Sequence, residues 1–72
     1  MHSNIGKYEE AKTNIERAIA NSDNLSGEVL EHYGDILFKL NDIDGAVKQW
    51  EIAKTREGAT EFIDQKISDR KL

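Results

Sequence analysis

Apolar residues recur along this chain at steps of three and four, the spacing that lines up one stripe on an α-helix. Val29, Leu30, Tyr33, Ile36, Leu37 and Leu40 make one such set, and Ile43, Ala46, Val47, Trp50 and Ala53 make the next. Asn41 and Asp42 alone separate them, which leaves room for a tight antiparallel reversal and nothing longer. Residues 27–60 are therefore predicted to form a helical hairpin with both stripes facing inward. One hairpin cannot bury its own stripe, so it needs neighbours.

The same periodicity supplies one neighbour on each side. Ile5, Tyr8, Ala11, Ile15, Ala18 and Ile19 predict a first helix over 3–21, with Ser3 or Asn4 as N-cap. The polar run Asn21, Ser22, Asp23, Asn24 ends it in a turn. The hairpin helices are predicted over 25–40 and 43–57, capped by Ser26 and by Asp42. Glu28 in a first turn and Lys54 and Arg56 in a last turn suit the helix dipole, and Gly58 is the expected residue beyond the C-cap. Ala59, Phe62, Ile63 and Ile67 predict a fourth helix over 60–70, capped by Thr60. Its narrow stripe suits a terminal helix that is packed on one side and wet on the other. The expected fold class is all-α, with about four helices in antiparallel hairpins.

Size and composition narrow the function. At 72 residues the chain is one domain with a marginal core, and without proline its helices can run uninterrupted. With no cysteine there is no disulfide framework, no Cys-based zinc site and no thiol nucleophile. A net charge of −4 disfavours nucleic acid, whose affinity comes largely from Lys and Arg neutralising phosphates. No apolar run approaches the ~18 residues of a membrane span, and Met1 to Tyr8 lacks the pattern of a signal peptide.

An internal echo sets the architecture. Tyr8, Ala11, Ile15 and Ala18 match Ile43, Ala46, Trp50 and Ala53, each pair 35 residues apart. Across the hairpin the chain reads Leu30-x2-Tyr33-Gly34-x2-Leu37, then Ala46-x3-Trp50, then Gly58. This resembles the tetratricopeptide repeat (TPR), whose pattern is W-x2-L-G-x2-Y…A-x3-F…P over about 34 residues. The spacings are kept. Leu30 stands for the Trp, Tyr33 for the Leu, Leu37 for the Tyr and Gly58 for the Pro, which are changes that packing tolerates. The resemblance implies a TPR-type α-solenoid. Residues 1–24 would be the second helix of a partial repeat, 25–60 one complete repeat and 61–72 a capping helix. The wording of the stretch also resembles the C-terminal end of larger bacterial TPR proteins. A first helix without its hairpin partner is expected to leave part of its stripe uncovered, so self-association is expected.

One polar constellation stands out. Glu28, Glu31, His32 and Asp35 fall on one face of the second helix, expected to lie opposite the apolar stripe. Carboxylates and a His at this spacing offer a donor set for a divalent metal. Such clusters arise on charged helices by composition alone, so a solvated or groove-lining face is the preferred reading. In TPR proteins this face lines the peptide-binding groove. The resemblance thus implies partner-binding residues Glu28, Glu31, His32 and Asp35, with Phe38 and Lys39 one turn on. Acidic Glu31 and Asp35 stand where a carboxylate clamp would need Lys and Asn, so a neutral or basic protein or peptide is the expected partner.

Other chemistry finds no support. Asp42, Asp44, Gly45 and Glu51 mimic an EF-hand loop, but Leu40 stands at its first ligand position and Ala46 to Ala53 carries a helical stripe. Trp50, Tyr8 and Tyr33 lie on inward stripes and read as core. Lys66, Arg70 and Lys71 read as favourable charge at a helix end. Ser26 and Ser68 have no base or nucleophile-elbow motif beside them, and no glycine-rich loop precedes a helix. The reading is a non-enzymatic protein-interaction scaffold with no cofactor and no metal. The alternatives are a purely structural cap of a longer solenoid and, more weakly, a helical metal-binding domain.

Overall fold

A computed structural model describes residues 5–21 and 25–71, with the side chain of Ile5 excepted. All regular structure among these residues is helical: α1 (Ile5–Ala20), α2 (Gly27–Lys39), α3 (Ile43–Lys54) and α4 (Ile63–Asp69). The caps expected at Ser3 or Asn4 and the turn through Ser22, Asp23 and Asn24 lie outside the described residues.

The hairpin forms as its pattern predicts. Ser26 opens α2 by accepting a hydrogen bond from the Val29 amide at 3.3 Å, and Asp42 opens α3 by accepting one from Gly45 at 3.1 Å. Between them Asn41 takes the left-handed conformation at φ 68°, a conformation Asn tolerates better than most residues. The core runs through Leu30, Leu37, Ala46, Trp50, Ala53 and Ile63, with Ile19 of α1 packed against it. All four helices therefore contribute to one core, as the pattern requires. Gly34 and Ala46 are the points of closest approach. A Cβ placed on Gly34 would stand 2.5 Å from Trp50 Cδ1 and 3.0 Å from the Ala46 carbonyl oxygen. Nothing larger than hydrogen fits between α2 and the fully buried indole.

Three expectations need correction. First, α3 ends at Lys54 rather than near Glu57. The Thr55 hydroxyl donates to the Ile52 carbonyl at 2.6 Å, and the Gly27 amide takes the Glu57 carbonyl at 2.6 Å, so the last turn's acceptors are used elsewhere. Gly58 turns the connection at φ 102°, three residues past the C-cap Thr55. Second, α4 starts at Ile63, not Thr60. Phe62 therefore sits in the preceding turn, outside the helical period, and is 57% exposed, while Ile63 enters the core. Third, Ala18 is exposed although it falls on the predicted stripe of α1, and Tyr8, Ala11, Ile15 and Ile19 are only half-buried. This helix packs on α2 along one side, and no second helix closes over it among the described residues.

Candidate functional site

The acidic face of α2 was expected to lie opposite the apolar stripe, open to solvent or to a groove. Part of it is covered by the chain itself. Glu31 is 3% exposed, the one buried charged residue among those described. Its Oε1 accepts the Thr60 amide at 2.8 Å, and its Oε2 accepts the Thr60 hydroxyl at 2.6 Å and Lys66 Nζ at 2.7 Å. The same ammonium reaches Asp35 Oδ1 at 3.1 Å, and that oxygen also accepts the Trp50 indole N–H at 3.1 Å. Lys66 Nζ lies 6.0 Å from the Trp50 ring centroid, within cation–π reach. One lysine thus binds two carboxylates of α2 and stands over the central aromatic of the core.

This corrects the expectation for the basic end of the chain. Lys66 pairs with Glu31 and Asp35 of the α2 face, and Arg70 bonds Asp44 of α3, so both tie α4 to the hairpin. The end of α4 is set by Arg70 itself, left-handed at φ 55°.

The electrostatics follow from burial and pairing. Burial pushes the Glu31 carboxyl up, but the hydrogen bonds from Lys66 and Thr60 outweigh it and hold the group below its ordinary value. Burial pulls the Lys66 ammonium down, and the hydrogen bonds to Glu31 and Asp35 more than reverse that, leaving it raised. Both groups remain charged at neutral pH. Every buried side-chain nitrogen and oxygen among the described residues has a hydrogen-bond partner, which is what lets an ion pair persist here.

Glu28 and His32 remain exposed on the outer rim of the same face. With Glu31 and Asp35 they line a shallow concavity of ≈ 230 Å³, closed on its far side by Thr60, Phe62 and Lys66. Phe38 does not join them. It is half-buried, packed on the core with its ring 6.2 Å from that of Trp50. Lys39 is exposed at the end of α2. The structure therefore brings Glu28, Glu31, His32 and Asp35 together and sets Phe38 and Lys39 apart from them.

The metal alternatives meet specific obstacles. Glu31 and Asp35 already share an ammonium, which fills the position a cation would take. Asp42 is engaged as a helix cap rather than free as a loop ligand. Among the described residues no group of three or more His, Cys, Asp or Glu side chains is gathered in metal-binding geometry.

Sequence reasoning missed Thr60 and Lys66 as parts of this face. A signal existed: Glu31 and Lys66 are 35 residues apart, the same spacing that relates α1 to α3. These two opposite charges at that spacing meet in the structure.

No protein family, curated protein or solved structure matches this chain.

Proposed function

We propose that this chain is a non-enzymatic protein-interaction module of TPR type. In this reading α2 and α3 are one complete repeat, α1 is the second helix of the repeat before it, and α4 is a closing helix. The observation that supports it most is the interlock of Gly34 with Trp50 beside Ala46. A small residue on one helix faces a large aromatic on the other, at the spacings of the repeat pattern.

The binding surface in this reading is the rim of the concavity, Glu28, His32 and the exposed Phe62. Glu31 and Asp35 act on it from beneath. Two carboxylates against one ammonium leave one negative charge uncompensated, and Glu28 adds a second. A neutral or basic peptide complements that field. The test is capture of immobilised peptides of graded charge by the whole chain and by a Glu28→Lys, His32→Ala variant. Basic peptides should be captured by the first and lost by the second. Equal capture by both sinks the assignment.

A purely structural cap is the second reading, and α4 favours it. Ile63 is buried on the hairpin while Asp64, Gln65, Ser68 and Asp69 face solvent, the asymmetry expected of a last helix. Capture of no peptide by the chain supports this reading instead. The half-covered stripe of α1 supports self-association in either case, and sedimentation at micromolar concentration showing monomer alone counts against that.

A further inference from the structure

We infer that residues 60–71 form a latch that opens as a unit beyond Ala59, and that the seat it leaves accepts an amphipathic helix whose lysine replaces Lys66. The inference rests on the reading of the α2 face as a binding surface, and it adds that the chain occupies part of that surface itself.

The hinge position follows from backbone packing. The Gly27 amide donates to the Glu57 carbonyl, and backbone atoms of Ala53, Arg56 and Ala59 fill the space a Cβ on Gly27 would need. Residues up to Ala59 therefore stay with the hairpin. Beyond that point the attachment changes character. The α4 helix has seven residues and no side-chain N-cap, too short to persist unsupported. It is attached by buried Ile63, half-buried Ile67, the two hydrogen bonds from Thr60 to Glu31 and the fork from Lys66 to Glu31 and Asp35. The remaining ion pairs, Lys54–Asp64 and Arg70–Asp44, are solvent-exposed and hold it weakly.

Opening would leave an apolar slot over Trp50 flanked by two carboxylates. Its complement is a helix with an apolar residue three positions before a lysine and another directly after it, the arrangement of Ile63, Lys66 and Ile67. Charge complementarity selects that occupant over a neutral or acidic helix. The latch segment of a second copy has this pattern by construction, so a peptide of residues 60–71 is the natural probe.

Two measurements test the proposal. Native-state hydrogen exchange on the whole chain should show α4 amides exchanging at least about tenfold faster than interior amides of α2 and α3. Equal rates overturn the latch, whatever the partner, and leave the binding-surface reading to its own peptide test. Fluorescence anisotropy should show a labelled 60–71 peptide binding a Lys66→Glu chain about tenfold tighter than the unaltered chain, whose own latch competes. A peptide carrying Lys66→Glu should not bind. Equal affinity for both chains, or no binding to a Lys66→Glu chain that circular dichroism shows to be helical, overturns the seat. If that chain is not helical, the exchange rates of the unaltered chain decide.

Discussion

Gly34 lies so close to the Trp50 indole that a Cβ at this position would stand 2.5 Å from Trp50 Cδ1. The indole has nowhere to move. It is fully buried, and its N–H is held by Asp35. Alanine at an open helical site would gain about 1 kcal/mol over glycine. Here overpacking, typically about 1–3 kcal/mol, should exceed that gain. Gly34→Ala is expected to lower the thermal midpoint and disturb the near-ultraviolet signal of Trp50. An unchanged or raised midpoint would show that the two helices have slack.

Removing the shared cation should expose the cost of the charges beneath it. Lys66→Met keeps most of the side-chain volume and leaves Glu31 buried with only Thr60 for a partner. A loss of about 2–3 kcal/mol is expected from urea unfolding at neutral pH, somewhat below the range for fully buried pairs because Lys66 is partly exposed. The pH dependence gives a second check. The folded Glu31 carboxyl lies below its ordinary value of 4.5. Its contribution is therefore present above that pH and lost as pH falls through the folded value. The gap between the two proteins should be widest near neutrality and shrink as the pH falls below 4.5 and through the lowered folded value. A gap independent of pH would mean that the lysine acts through packing alone.

The helices were legible because each carries its own signal. Ser26 and Asp42 announce their caps, and Leu30, Leu37, Ala46, Trp50 and Ala53 mark the core by period alone. The acidic face of α2 was legible as a cluster but not as a covered one. Whether Glu31 faces water or Lys66 depends on where α4 docks, and that docking follows from turn geometry at residues 55–62 that no periodicity encodes. Phe62 shows the same limit. Its apolar character suggested a place in the stripe, but a helix that begins one residue later leaves it outside.

Gly27 is a position that the pattern passes over and the structure makes indispensable. A Cβ there would stand 2.7 Å from the Ala59 amide nitrogen, 2.8 Å from the Ala53 carbonyl oxygen and 2.9 Å from that of Arg56. All three are backbone atoms, so no side chain can swing aside. Gly27→Ala should destabilise the chain by about 2–3 kcal/mol, towards the upper end of overpacking costs. It should also break the hydrogen bond from its amide to Glu57, freeing the α3–α4 connection. A larger rise in hydrogen exchange in α4 than in α1, each measured against the unaltered protein, would confirm that the damage is local to this crossing. A midpoint matching the unaltered protein would refute the crowding argument.

Tyr33 joins α1 to α2 by donating its hydroxyl to Glu16 at 2.7 Å. Burial, together with the hydrogen bond and charge of Glu16, pushes its phenol up from 10.0 to about 12. A group raised on folding contributes stability that is complete below its unfolded value and lost as pH rises through the folded one. The chain should therefore weaken between about pH 10 and pH 12, as the unfolded phenol ionises while the folded one resists. Lys66 is also raised and acts in the same direction. Tyr33→Phe should remove the tyrosine part of this alkaline loss while leaving the lysine part. It should also loosen α1, which has no other hydrogen bond to α2 among the described residues. Urea midpoints across the alkaline range, compared between the two proteins, check the first point. Parallel alkaline curves would show that the Tyr33 hydroxyl is free in solution and that α1 is held to α2 by its apolar contacts alone.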